Sequence, residues 1–471
     1  MPTPKELIDI IYCEENLCRI DSEYKKYKVY NGQLRKQVSE AISKEFILPE
    51  TVKELNKRII PVNITQKVIN KLAMVYKNSP LRTSTIENEE DNNAIQFLAD
   101  TMQMDLIGKS TNRLFKLNKS GMLEPYVDYK GKPSLRSIPN HMFTVASDDP
   151  IDPTRATHVV KHLNMGSYED GKQMVNERAN HIHVVWSDTE HYTMDGEGNI
   201  IDNPGNEYGV NPMTYIKEGD CLMPIPDDDL YFLQIAICLL LTDLAFASKY
   251  QAWSIIYIIG AETQNLTFNP SSVVTLPMGR DGTKPDIGTI KPTLDTQALL
   301  SQVEALIGLL LTTKSLSIGS VTMKLEAGNT ASGISKMLDE SHTTEDQKDQ
   351  QAYFVNAEEE LWKKMATNIL PAWINAGAID PKYIVNFSQE FEPRVIFTAP
   401  EIPLSKQEVV ELEKLKLDAR LTTKKMALRE VHDDLNDDEI EDLILEMNQE
   451  GLDSLNGIQS QFENQSNDAS Q

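Results

Sequence analysis

The residues best suited to chemistry fall in four small groups, and none has the company a reaction centre needs. His181, His183 and His191 lie close together, and His181 and His183 share one face of a strand, so their imidazoles could approach a metal ion. No carboxylate or cysteine stands at a partner spacing, and the three are expected as surface histidines of a sheet. The stretch Gly328-Asn329-Thr330-Ala331-Ser332-Gly333 opens a helix with small residues, where backbone N–H groups could meet an anion. No lysine follows at the spacing a phosphate loop uses, so a plain loop–helix junction is expected. Asp433-Asp434 and Asp437-Asp438 form a carboxylate group of the kind that can hold two metal ions. Their position between two short helices suits them better to helix N-termini and a solvated face. Cys13, Cys18, Cys221 and Cys238 are too few for a disulfide framework. Cys13 and Cys18 have no second pair at zinc spacing, so free, mostly buried thiols in a reducing compartment are expected.

Larger catalytic signatures are missing too. The sequence contains no phosphate-binding G-x-x-x-x-G-K-[ST], no G-x-G-x-x-G after a strand and no G-x-S-x-G nucleophile turn. The expectation is a protein that is not an enzyme and needs no cofactor and no metal. Charge narrows the class further. With 46 Lys and Arg against 71 Asp and Glu, the 471 residues carry a formal net charge of −25. Such a chain is ill suited to gripping the phosphate backbone, because that affinity comes from clustered cations. It remains suited to surrounding nucleic acid without holding it. The mix of 40% hydrophobic and 25% charged residues is that of ordinary globular material.

The elements that must position these residues are mixed. The spacing predicts helices over Lys5–Cys18, Ile64–Tyr76 and Asp91–Met102. It predicts strands over Gly121–Tyr129, Arg155–Leu163 and Ile182–Trp186, a turn at Tyr129–Pro133, and a hairpin at Met194–Ile201 around Asp195-Gly196-Glu197-Gly198-Asn199. Asp227-Asp228-Asp229 then caps a long apolar helix reaching about Ile255, roughly 40 Å. Tyr231–Ile259 is the most apolar stretch of the chain. Gln234, Asp243, Ser248, Lys249 and Gln251 interrupt it, so a buried helix is expected rather than a membrane span. Met1–Ile11 has no basic run followed by an apolar core, so no targeting segment is expected there.

A Gly-, Pro-, Thr- and Asn-rich stretch follows, Ile256–Thr293, with β-like runs at Ser271–Leu276 and Ile287–Ile290. A second long helix is expected over Leu294–Ser315, its apolar residues Leu299, Val303, Leu306, Ile307, Leu310 and Leu311 at three- and four-residue spacing. Ile318–Ser332 reads as a loop. A third long helix runs from Gly333 to Ile369 and stops before Pro371, and Tyr383–Phe387 and Arg394–Phe397 read as strands. Ser405 with Glu408, Thr422, and Asn436 with Glu439 mark the starts of three short helices over about 406–420, 423–433 and 437–450. From Ile402 onward there are 7 Lys and Arg against 17 Asp and Glu, a net of 7 − 17 = −10. Gln459–Gln471 is Gln-, Asn- and Ser-rich and is expected to be disordered. Two long helices joined through a small β-rich tip would form a stalk. Apolar residues such as Phe232, Ile235, Leu239 and Phe246 could not stand alone in water: either both helices sit inside one monomeric core, or neighbouring subunits of a ring cover them.

This order of parts resembles the portal proteins of tailed bacteriophages, of the siphophage type. Arg58-Ile59-Ile60-Pro61-Val62-Asn63, then Val68 to Pro80 with Tyr76 four residues before Pro80, is similar to the family's early helix and its Tyr-x-x-x-Pro end. Ile138-Pro139-Asn140-His141-Met142-Phe143-Thr144-Val145 resembles its Pro-x-x-Phe-x-Val strand with one extra residue. Thr330-Ala331-Ser332-Gly333 resembles the Ala-Ser-Gly that opens its long helix. Val395-Ile396-Phe397 with Pro403-Leu404-Ser405 resembles its return strand and the start of its crown.

The resemblance implies an α+β portal fold assembled as a ring, usually of twelve subunits. It implies a wing over 1–228, stem helices over 229–255 and 294–315, a clip over 256–293 and a channel loop over 316–332. A wing-spanning helix would follow over 333–370, then wing return strands over 371–401, a helical crown over 402–452 and a disordered tail over 453–471. By the same analogy Val321, Thr322, Met323, Lys324, Leu325 and Glu326 would face passing double-stranded DNA, without base specificity. Val273, Thr275, Arg280, Lys284 and Ile287 would dock the large terminase subunit and later a head-completion or adaptor protein. Phe232, Leu239, Phe246, Leu306 and Leu310 would lie at the subunit interface. Major capsid and scaffolding proteins are further implied partners, the virion portal vertex the implied location, and no membrane is involved. The competing readings are another virion ring or connector without DNA passage, an enzyme with an unrecognised site, and a membrane-associated protein.

Overall fold

The computed structural model describes residues 2–163, 178–252, 255–259, 286–290, 295–316, 333–398, 406–418, 422–431 and 439–445, apart from Phe46, Glu87, Pro226 and Asp442. The chain divides into two compact units, residues 1–325 with 342–400 and residues 326–341 with 401–471. The architecture of the described residues is mixed α+β.

The first unit starts with helices. α1 (Pro4–Ile11) is opened by a reciprocal cap, in which Thr3 N donates to Glu6 Oε2 at 2.7 Å while Glu6 N donates to Thr3 Oγ1 at 3.3 Å. The single helix expected over Lys5–Cys18 is in fact two. Cys13 takes extended backbone (φ −64°, ψ 150°) and α2 (Glu14–Tyr30) starts afresh beyond it. α3 (Leu34–Glu45) and α4 (Pro49–Asn56) follow, neither expected from the sequence. α5 (Ile64–Leu72) is capped by Asn63, which accepts from Gln66 N at 2.9 Å. It ends four residues earlier than its apolar spacing suggested, because Tyr76 is claimed by the core: its hydroxyl donates to Glu358 at 2.6 Å.

β1 (Leu81–Ser84), α6 (Glu89–Met102) and α7 (Met104–Asn118) lead into two sheets. β2 (Ser120–Val127), β3 (Pro133–Ile138) and, much later, β9 (Thr214–Lys217) form a three-stranded antiparallel sheet with β2 central. β4 (Phe143–Ala146), β5 (His158–His162), β6 (Ile182–Trp186), β7 (His191–Asp195) and β8 (Ile200–Asp202) form a five-stranded antiparallel meander. The β7–β8 turn closes with Asp195 N donating to Asn199 O at 2.9 Å, and Gly198 supplies φ +85°.

The expected surface histidines are a correction. His181 and His183 are buried, at 2% and 0% exposure, because α1 and α2 cover that face of the meander. His191 is half-buried and stacks on Trp186 with ring centroids 3.5 Å apart. The thiols run the other way: Cys13, Cys18 and Cys221 are exposed and only Cys238 is buried. Among the described residues no group of three or more His, Cys, Asp or Glu is arranged to hold a metal ion.

α8 (Asp229–Ala252), β10 (Ile255–Ile259), β11 (Asp286–Ile290) and α9 (Thr296–Thr313) make a helix–ribbon–helix segment. α8 stops three residues before the expected Ile255, where the β-branched pair Ile255-Ile256 starts a strand. β10 and β11 pair antiparallel, with Ile258 opposite Ile287. α10 (Gly333–Lys364) does not stop before Pro371. It passes through a π-helical turn at Met365–Ile369 into α11 (Leu370–Asn375). The wider turn accommodates a proline that lacks an N–H and would clash in a regular helix.

Tyr383–Phe387 makes no ladder among the described residues and follows a 3₁₀ turn at Pro381–Tyr383. β12 (Pro393–Ile396) does form, and pairs antiparallel with β1, Leu81 opposite Ile396. The main core gathers Tyr76, Phe115, Phe354, Leu361, Trp362, Met365, Ile369 and Trp373. Buried among them, Glu358 accepts from Tyr76, from Arg82 Nε at 2.7 Å and from Trp362 Nε1 at 3.4 Å.

In the second unit, α12 (Lys406–Asp418) packs on α13 (Lys424–Val431). Met426 N donates to Thr423 Oγ1 at 3.3 Å, so the cap lies one residue beyond the expected Thr422.

Candidate assembly face

Helices α8 and α9 are the most apolar of the described helices, and their sequence must be reconciled with water. At its N-terminus α8 is fixed by charge. Asp229 accepts from Leu230 N at 2.7 Å, as the carboxylate run suggested. Three lysines that sequence reasoning missed complete the anchor. Lys26 reaches Asp228 at 2.7 Å, Lys119 reaches Asp227 at 2.7 Å, and Lys314 reaches Asp229 at 2.9 Å and Asp227 at 3.3 Å. Lys119 and Lys314 sit at the C-terminal caps of α7 and α9, where a cation also suits the helix dipole. A lysine directly after an apolar helical repeat was the available signal. The Lys119 ammonium holds the Asp227 carboxyl below its usual range, and the same bond raises Lys119.

The inner faces are docked by side chains of both kinds. Gln234, one of the interruptions in the apolar stretch, is fully buried and caps α5. Its Oε1 accepts from Ile64 N at 2.8 Å and Thr65 N at 3.0 Å, and its Nε2 donates to Val62 O at 2.6 Å. Ile237 of α8 and Val303, Leu310 and Leu311 of α9 pack on Ile64, Val68, Ile69 and Leu72. On the other side, Ile235 and Cys238 pack on Val29, Leu34, Val38, Ile42 and Leu55 from α2 to α4.

The outer faces remain uncovered. Phe232 is 63% exposed, Leu309 52% and Leu300 41%. By length and composition Asp229–Ser248 is apolar enough to cross a membrane, and only 33% of it is buried inside the chain.

The five residues expected at a subunit interface therefore separate. Phe232 points outward. Leu239 and Phe246 lie against the α2–α4 cluster, Leu306 lies partly buried against the α5 cluster, and Leu310 is wholly inside it. Of the five docking residues only Ile287 is described, in register with Ile258 on the ribbon; Val273, Thr275, Arg280 and Lys284 lie outside the described residues. Val321, Thr322, Met323, Lys324, Leu325 and Glu326 lie outside them too, as do Gly328–Ser332, the Asp433–Asp438 carboxylates, the cap residues Ser405 and Asn436, the β-like run Ser271–Leu276 and the tail.

No family model matches this sequence, and no curated protein matches it. Among solved structures, one similar chain comes from the neck of an empty GTA particle computed with C6 symmetry. It has a TM-score of 0.37 at 9% identity, covering 81% of this chain and 92% of that one.

Proposed function

We propose that this protein is the subunit of a portal-type ring of a tailed phage: a homo-oligomer, of twelve copies by family analogy, at one vertex of the capsid. The observation that carries the reading is the exposed apolar surface of α8 and α9. Each helix is held to its own chain on one side and offers Phe232, Leu300 and Leu309 to the other. A neighbouring copy presenting the same segment would bury that surface, and cyclic repetition leaves no copy unpaired. In this reading the β10–β11 ribbon, at the far end of both helices, is the docking tip for the terminase and then for head-completion proteins. The segment 316–332 lines the channel. The protein hydrolyses nothing itself. Its net charge of −25 favours passage of double-stranded DNA over adhesion to it.

Native mass spectrometry of the purified protein, with negative-stain images of the same sample, tests this. Closed rings with a central hole are expected, and a compact dimer or tetramer without one would overturn the proposal. Deleting residues 321–328 is then expected to leave rings intact and to impair DNA packaging.

A further inference from the structure

One face of the five-stranded meander is half apolar and half imidazole. Ala146, Val160, Val185, Tyr192 and Met194 receive Leu7, Ile8 and Ile11 of α1. On the same face, in register with these, stand Thr144, His162 and His183, with His162 directly opposite His183. Tyr12, at the break between α1 and α2, reaches down to them. Four hydrogen bonds run in series. Thr144 Oγ1 meets His162 Nε2 at 2.9 Å, His162 Nδ1 meets His183 Nδ1 at 2.9 Å, His183 Nε2 meets the Tyr12 hydroxyl at 3.3 Å, and that hydroxyl meets His181 Nδ1.

Proton accounting orients the whole series. Thr144 Oγ1 already accepts from Asn16 Nδ2 and Arg19 Nη2, each at 3.2 Å, so its own proton goes to His162 Nε2. His162 then carries its proton on Nδ1 and donates to His183 Nδ1. His183 carries its proton on Nε2 and donates to Tyr12, and Tyr12 donates to His181. All four bonds are satisfied with every ring neutral. One added proton breaks the series. On His183 Nδ1 it would face the His162 N–H across 2.9 Å, and on His162 Nε2 it would face a threonine oxygen with no lone pair left.

We propose that this series is a proton-operated latch, and that protonation of His162 or His183 opens the contact between the α1–α2 layer and the meander. The groups facing it favour neutrality. Arg19 approaches from α2, with His141 from the turn before β4. The Arg178 guanidinium lies over the Tyr12 ring at 4.4 Å, and Asp195 of β7 is the opposing carboxylate. Glu23, the buried carboxyl of α2, is taken up by Arg19 at 2.6 Å.

Burial, then His181 and Arg178, hold His183 down to about 4 from an ordinary 6.5, and burial with His183 and Arg19 holds His162 well below that ordinary value. A released ring regains the ordinary value. The open state therefore binds more protons between the two values, so the latch is fully closed above about pH 6.5 and loses closure as pH falls towards about 4.

The test is hydrogen exchange of the full-length protein at about pH 7.5 and about pH 5, corrected for intrinsic exchange. Peptides from α1, α2, β5 and β6 are expected to lose protection at least about tenfold, while α10 keeps its own. Equal loss everywhere, or no loss at the lower pH, would overturn the proposal. His183→Gln is expected to flatten the response. Because that variant could fold poorly, imidazole C2 exchange in the unaltered chain gives a second reading: half-titration of His162 and His183 near pH 6.5 while α1–α2 stays protected would also overturn it.

Discussion

Glu358 shows how much of this fold turns on single polar side chains. It is fully buried, yet three donors meet its two oxygens, and one of them, Arg82, is itself buried and bonded to Asp105 at 2.7 Å. Removing the Glu358 charge leaves the buried Arg82 guanidinium with Asp105 alone, and breaking a buried ion pair in this way costs up to about 3–5 kcal/mol. Glu358→Gln is therefore expected to lower the urea midpoint markedly, whereas Glu359→Gln, at a half-buried position one residue along, should cost far less. Residues of this kind were the least legible in the sequence. Gln234 read as a blemish in an apolar run, and His183 as a surface histidine. Each was misread because its partner lies in a remote part of the chain: Gln234 meets Ile64 from 170 residues away and Tyr12 meets His183 from 171. Local spacing carries no trace of such pairs.

Elements were far more legible, because their signals are local. The β6 strand, the β7–β8 hairpin and the two long apolar helices all follow from periodicity and turn residues. Boundaries shifted where a tertiary demand outweighed propensity, as at Tyr76. The π turn at Met365–Ile369 is the clearest instance. In a regular helix, nine residues of separation would set Leu370 about 180° from Leu361. Both are buried, at 1% and 0%, because the wide turn resets the helix phase.

The apolar surface of α8 and α9 allows a separation at this scale. Leu310→Ala is expected to destabilise the monomer fold by about 2–5 kcal/mol. Phe232→Ser should leave the thermal midpoint of an isolated chain nearly unchanged and weaken association. Calorimetry beside sedimentation velocity distinguishes the two, and an unaltered oligomer in Phe232→Ser would remove Phe232 from any interface.

At the scale of the whole molecule, long-range closure dominates. β1 is completed only by β12, and the Tyr76 hydroxyl meets Glu358 across 282 residues of sequence. This has a consequence for how the protein is made. At about 5–20 residues per second, a ribosome needs roughly 15–60 s to synthesise the stretch between those two residues. During that interval β1 has an open edge and Arg82 lacks its buried carboxylate. A nascent chain that already carries α8 and α9 still lacks the α10 half of its main core. Completion of translation is therefore a condition for the main core: a chain that ends before Glu358 leaves Tyr76 and Arg82 without their shared carboxylate and the core without Leu361, Trp362 and Trp373.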